Sequence, residues 1–182
     1  PAPLSAKNRI IIIEVVLLSM ATIRHTDLPK IRKRFRDKTI VFCSGSFDLT
    51  HAGHALFFED CKKQGDILVV AVGGDASIRE LKGKTRPVLN QFLRLKMIDS
   101  LKPVDFCFIG PRPRRGIPFT ANDYFFKNLE PDVYVVNDDA FDMRSRKRDA
   151  RKYGVKLKIL KRECPPEFER ISTTNIIEKI RR

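Results

Sequence analysis

Two of the chain's three histidines, His51 and His54, stand three residues apart in the stretch Cys-Ser-Gly-Ser-Phe-Asp-Leu-Thr-His-Ala-Gly-His over residues 43–54. On the first turn of a helix that spacing sets both imidazoles on one side. The residues ahead of them are small, and Gly45 and Ser46 let a ligand approach the backbone. The first amides of a helix have no partners within it, so a phosphate is the ligand that such a start favours. Gly53 keeps the space between the two rings free of a side chain. Histidines at this spacing also occur as structural residues or in metal sites. A zinc site needs further ligands, and neither Asp60 nor Cys61 supplies a recognised spacing, so no metal held by the protein itself is expected.

The elements that must position this stretch can be read from the apolar runs. Residues 39–43 are β-branched and aromatic without alternation, as expected of a parallel strand covered on both faces. Residues 52–64 have helical spacing, and Gly65 stands where a left-handed residue often ends a helix. Strand patterns recur at 66–74, 106–109, 133–136 and 155–160, with a helix at 91–101 and another starting at Ser172. Such alternation predicts an α/β fold, a Rossmann-like parallel sheet with helices on both faces. Ligands of such sheets bind beyond the carboxyl ends of the strands, where the motif loop falls.

Phe47, Asp48, His51, Gly53 and His54 make a Phe-Asp-x-x-His-x-Gly-His segment, by which the chain resembles the cytidylyltransferase-like nucleotidyltransferases. Lys62, Asp75-Ala-Ser, Leu81-Lys-Gly, Arg86-Pro-Val, Arg94 and Ile171-Ser-Thr-Thr-Asn-Ile-Ile agree in family order. The last pieces look most like the adenylyltransferase domain of bacterial ADP-heptose synthases, and glycerol-3-phosphate cytidylyltransferases share the general plan. The resemblance implies attack by a phosphorylated acceptor on the α-phosphorus of ATP or CTP, with release of pyrophosphate and with Mg2+ as the triphosphate's counterion. It implies catalytic roles for His51, His54 and Lys62. It places Gly45, Ser46, Phe47, Gly53, Asp75, Arg94, Asn137, Ser172 and Thr173 at the nucleotide, and Asp48, Lys84 and Arg86 at the acceptor. Asn137-Asp-Asp stands where relatives carry Gly-Asp-Asp or Gly-Gly-Asp. The lean is to adenylyl transfer onto a sugar 1-phosphate, with cytidylyl transfer to glycerol 3-phosphate as the alternative, and a homodimer is expected.

The 182 residues suffice for one domain, and 36 Lys and Arg against 22 Asp and Glu give a net charge of +14 that favours anionic partners. A noncatalytic nucleic-acid-binding domain would use that charge without His51 or His54, but the basic cluster at 144–152 has no interleaved aromatics to stack bases. Aminoacyl-tRNA synthetases share His-x-Gly-His, yet this length leaves little room for tRNA-binding domains. The four cysteines are scattered, which fits a reducing, cytoplasmic setting.

The division expected is an N-terminal segment, residues 1–36, ahead of a nucleotidyltransferase domain at 37–182. Within the former, residues 10–20 are strongly apolar, carry Glu14, and are about half the length that a membrane span needs. Lys7 and Arg9 precede the run as in a secretory signal, but no small-x-small cleavage site follows. Packing on the domain or between subunits is expected of it, and residues 28–35 are expected to form a short solvated helix.

Overall fold

In the computed structural model the described residues are 22–111, 122–161, 165 and 171–181. The apolar run at 10–20 and part of the basic loop at 110–118 lie outside them. A one-turn 3-10 helix (His25–Asp27) leads into α1 (Leu28–Arg34), and the remaining elements alternate. They are β1 (Ile40–Gly45), α2 (Ala52–Lys62), β2 (Ile67–Val72), α3 (Asp75–Lys82), α4 (Gln91–Asp99), β3 (Phe106–Ile109), α5 (Asn122–Leu129), β4 (Val133–Asn137), α6 (Met143–Lys152), β5 (Lys156–Leu160) and α7 (Thr173–Arg181).

The five strands form one parallel sheet in the order β3-β2-β1-β4-β5. Successive side chains on a strand point to opposite faces, and in β1 to β4 both faces are largely buried, whereas the edge strand β5 is half-buried to exposed. Ile40 and Phe42 join Val69, Phe108, Tyr134 and Val136 beneath α1, α5 and α6, which contribute Leu28, Ile31, Phe125, Phe126, Leu129 and Ala150. Val41 and Cys43 join Leu68, Val70, Cys107 and Val135 on the other face, against Phe58 and Cys61 of α2 and Ile98 of α4. This two-sided burial explains why β1 to β4 read as unbroken apolar runs, while the exposed edge strand β5 alternates Lys156-Leu-Lys-Ile.

The chain order reverses between β1 and β4, so the crevice beyond their carboxyl ends is the switch point of the sheet. The opposite ends are tied by carboxylates. Asp66 accepts the Thr39 amide at 2.8 Å, Asp105 the Leu68 amide at 2.6 Å and Asp132 the Ile40 amide at 2.7 Å.

Three local expectations change. Helix α1 is not simply solvated, since Leu28 and Ile31 are buried in the core. Helix α3 follows Gly73-Gly74, where only a strand end was expected. Gly65 does not take a left-handed conformation. Its missing side chain is a packing requirement, because a Cβ there would come within 2.7 Å of Thr39 Cγ2 and 2.8 Å of Thr39 O. Forcing a methyl into that contact shifts backbone, so Gly65→Ala is expected to destabilise the fold by about 1–3 kcal/mol. Urea denaturation of the purified variant measures this, and an unchanged midpoint would contradict it.

Candidate active site

The motif loop between β1 and α2 is built under strain and held by buried charge. Phe47 and Leu49 have φ of +47° and +48°, a region that costs side-chain-bearing residues about 1–3 kcal/mol each. The turn brings the Phe47 ring back beneath the strand end, packed on Phe58 at 4.9 Å between centroids and edge-on to His54 at 5.6 Å. Gly45 has to be glycine for this, as a Cβ would lie 2.8 Å from Phe47 Cζ.

Between the two strained residues, Asp48 is buried and its carboxylate is fully engaged. It accepts from Arg86 Nε at 2.9 Å, the Val88 amide at 2.9 Å and the Leu89 amide at 3.0 Å.

His51 occupies the N-cap position of α2 with extended backbone, and its carbonyl accepts the His54 amide at 2.9 Å. The His51 amide donates to His54 Nδ1 at 3.4 Å, and the two rings lie 4.0 Å apart. An Nδ1 that accepts leaves the neutral ring's proton on Nε2, the tautomer that can donate to a phosphate oxygen. Gly53 leaves room for this pairing, since a Cβ there would meet His51 Cε1 at 3.0 Å.

The start of α7 closes on the same loop. Thr173 Oγ1 donates to Asp48 O at 2.8 Å, while Ser172 Oγ accepts the Asn175 amide at 3.2 Å as a cap. Two helix N-termini thus converge on one cleft of about 450 Å³.

Gly45, Ser46, Phe47, Asp48, His51, His54, Arg86, Asn137, Ser172 and Thr173 line this cleft, at the carboxyl ends of β1, β2 and β4. Gly53 stands between the histidines. Four other expected residues do not reach the cleft wall, and Asp48, which does, spends its carboxylate on the protein. Lys62 lies about 12 Å along α2 from His54, at the amino ends of the strands. There its ammonium donates to Asp66 O at 2.6 Å and pairs with Asp105. A helix that runs back antiparallel to the sheet carries its last turn away from the ligand end.

Arg94 is wholly buried and spends its donors on Leu89 O, Ser46 O, Gly73 O and Asp75 Oδ1, at 2.9, 2.6, 2.7 and 2.8 Å. Asp75 and Arg94 are thus tied to each other, and Arg94 to the motif loop. Asp48 holds residues 86–89 through its carboxylate. Lys84 is exposed and outside the cleft.

The cleft also gathers residues that the sequence reading did not assign. Lys82, at the end of α3, lines it beside Arg86. Desolvation first, then the Arg86 charge, lowers the Lys82 pKa below that of an ordinary lysine. Arg146 of α6 also lines it, anchored through Nε to Phe141 O at 2.8 Å and through Nη1 to the Tyr134 hydroxyl. Burial raises the Tyr134 pKa, against the opposing pull of Arg146. Asp139, Phe57 and Phe141 complete the wall. The Leu-Lys-Gly string already contained Lys82, but nothing distinguished Arg146 from its five basic neighbours until α6 was seen to turn one side inward.

Replacing Arg94 leaves three carbonyls and a carboxylate without their donor, at a cost of about 3–5 kcal/mol. Arg94→Met is expected to lose that much in urea denaturation, and Arg94→Lys to restore little of it because an ammonium cannot span the fork. A variant of wild-type stability that had only lost nucleotide affinity would return Arg94 to the ligand.

Comparison with known proteins agrees with this geometry. The cytidylyltransferase-like family model matches residues 42–179. The chain is 35% identical over 144 residues to the FAD synthase of Aciduliprofundum boonei, covering 77% of this chain and 89% of that one. It is 34% identical over 150 residues to the bifunctional protein HldE of Pseudomonas entomophila, covering 82% of this chain but only 29% of HldE. A solved lipopolysaccharide core biosynthesis protein from Thermoplasma volcanium superposes with a TM-score of 0.54 at 30% identity, over 68% of this chain and 95% of its own. With its His-x-Gly-His helix start at the switch point of a parallel sheet, the chain belongs to the cytidylyltransferase-like family and is a nucleotidyltransferase.

Proposed function

We propose that the protein transfers the nucleoside monophosphate of a triphosphate, ATP in preference to CTP, to the phosphate of a small phosphomonoester. An acceptor phosphate oxygen forms the new bond to the α-phosphorus as the bond to the bridging oxygen breaks, and pyrophosphate leaves. The observation that carries this reading is the convergence of the two helix starts, α2 with His51 and His54 and α7 with Ser172 and Thr173, on a cleft that also holds Lys82, Arg86 and Arg146.

Both reactants are anions, so the barrier lies in bringing like charges together and in stabilising charge that develops at phosphorus. In the proposed reaction His51 and His54 donate to the triphosphate, with Gly45, Ser46, Gly53 and Asn137 shaping its pocket. Ser172, Thr173 and the α7 amides hold the pyrophosphate portion. Lys82, in the role first given to Lys62, neutralises the approaching acceptor phosphate with Arg86 and Arg146. An acceptor that is already ionised needs no general base.

Among the described residues no group of three or more His, Cys, Asp or Glu is arranged to hold a metal. Magnesium needs only one or two carboxylates beside phosphate and water, and Asp139 is a cleft carboxylate that fits this. The ion would enter with the triphosphate and neutralise part of its charge.

A sugar 1-phosphate is the acceptor we favour, on the Leu81-Lys-Gly, Arg86-Pro-Val and Ser172-Thr-Thr-Asn pieces and the likeness to a lipopolysaccharide core biosynthesis protein. A second reading, flavin mononucleotide, rests on Phe141. This ring lines the cleft while 65% exposed, a platform suited to an aromatic acceptor, and the FAD synthase relative is matched over most of its length. Pyrophosphate release should be assayed with ATP and with CTP, each paired with heptose, hexose and glycerol phosphates and with flavin mononucleotide. Preference for CTP would reject adenylyl transfer, and turnover confined to unphosphorylated acceptors would reject the charge argument.

His54→Ala is expected to lower kcat by about 10²–10³ without changing the melting temperature, as loss of one preorganised donor does. Lys62→Ala, by contrast, should keep kcat within about twofold and lose about 1 kcal/mol or less of stability, because its partly exposed ion pair is far from the cleft. Steady-state kinetics with thermal denaturation separates the two, and a Lys62 variant that is stable but inactive would restore that residue to the site.

The lowered pKa of Lys82 means that its charge is lost at a lower pH than an ordinary lysine's as pH rises. Activity should therefore fall on the alkaline side through this group. Lys82→Arg should move that limb to higher pH, since a guanidinium stays charged. A pH profile of kcat/KM that is identical in the two proteins would remove Lys82 from the mechanism.

A further inference from the structure

Helix α4 buries one side and exposes an apolar one. Arg94 and Ile98 are wholly buried, whereas Phe92, Leu93 and Met97 are 66%, 52% and 46% exposed. At the helical repeat, residues 92, 93, 96 and 97 form one outward arc, so these three side chains make a continuous patch. Single exposed apolar residues are ordinary, but contiguous ones mark a surface that something covers. The charge within the arc is Lys96, bonded to Asp99 at 3.0 Å.

The chain enters the described structure beside this helix. Thr22 Oγ1 donates to Asp99 Oδ1 at 3.0 Å, Thr22 bridges to Cys107 of the edge strand β3, and the Ile23 amide donates to Cys107 O at 2.9 Å. These bonds fix the position of Thr22 against the last turn of α4. Two residues upstream of it ends the apolar run at 10–20, in which only Glu14 and Ser19 are polar. Eleven residues reach about 16 Å as a helix and about 36 Å extended, whereas α4 is about 14 Å long. From its tether the run can cover the whole arc in either form. Glu14, its one charge, complements Lys96.

We infer that residues 10–20 dock on the outward face of α4 in the same chain, covering Phe92, Leu93 and Met97. The apolar run and the apolar patch then satisfy each other, and neither requires a membrane or a second subunit. Phe92, Leu93 and Met97 do not line the cleft, so this docking does not rest on the reaction proposed above.

Hydrogen–deuterium exchange on the full chain tests it, with sedimentation run in parallel to give the mass. Amides at 10–20 should exchange at least tenfold more slowly than expected for an unstructured peptide. The double variant Phe92→Glu, Met97→Glu should abolish that protection while β1 and β2 stay protected. Leu17→Asp, which leaves α4 unaltered, should do the same from the other side and covers the case in which the α4 variant fails to fold. Unprotected amides at 10–20 in the wild type would overturn the inference, as would protection that survives both sets of substitutions. Protection that appears only at concentrations giving a dimer mass would assign the patch to a second copy and overturn it equally.

Discussion

A single buried guanidinium fixes the geometry of the cleft. Arg94 reaches from α4 to the carbonyls of Ser46, Gly73 and Leu89 and to the carboxylate of Asp75, which belong to the motif loop, the end of β2, the approach to α4 and the start of α3. A wholly buried cation is tolerable only when its donors are met by acceptors, and Arg supplies five in a rigid fork. Asp48 is its counterpart of opposite sign, taking Arg86 and two amides of the same approach loop. The two charges are solvated by backbone instead of water. They lock residues 46–51 against residues 86–89, and this lock offsets the left-handed strain at Phe47 and Leu49 that turns the histidines into the cleft.

An all-parallel sheet has two chemically different ends, and the charged residues divide between them. At the amino ends Asp66, Asp105 and Asp132 each accept an amide of a neighbouring strand or of the residue leading into it, and Lys62 joins Asp66 and Asp105 there. Lys62 pairs with Asp105 and Arg32 with Asp132, and together these groups close the bottom of the sheet. At the carboxyl ends the helix starts point outward and the cations Lys82, Arg86 and Arg146 stand around the opening. Lysines 62 and 82 therefore have opposite surroundings although each ends a helix, because α2 finishes at the amino ends of the strands while α3 finishes at the cleft.

That contrast marks what could be read from the sequence. Strands β1 to β4 were legible because burial on both faces leaves no alternation to confuse, and the His51 to His54 spacing was legible because a helix start converts it directly into geometry. The partners of the charged residues near the motif were not. Asp48, Asp75 and Arg94 carry the same side chains whether they face a ligand or a carbonyl, and only burial and partners tell the cases apart. Gly65 was misread for a related reason, since a glycine after a helix signals a left-handed turn or a close contact equally well, and the contact with Thr39 is long-range. Arg146 was hidden among the basic residues of α6, where direction around the helix decides which one meets Tyr134.

The crowding of Lys82 and Arg86 has a thermodynamic consequence for a site that receives polyanions. Desolvation first, and then the Arg86 charge, weakens the hold of Lys82 on its proton, against the opposing pull of Asp48 and Asp139. A phosphate placed at that wall would reverse the sign of the local field and raise the same pKa. By linkage, a ligand that raises a group's proton affinity binds more tightly to the protonated form, so phosphate binding in the proposed reaction is coupled to proton uptake at Lys82. In the proposed reaction an anion at this wall would relieve the repulsion between Lys82 and Arg86. A neutral acceptor of the same shape would leave that repulsion in place, which is the physical reason for assigning the phosphate of the acceptor to this side of the cleft.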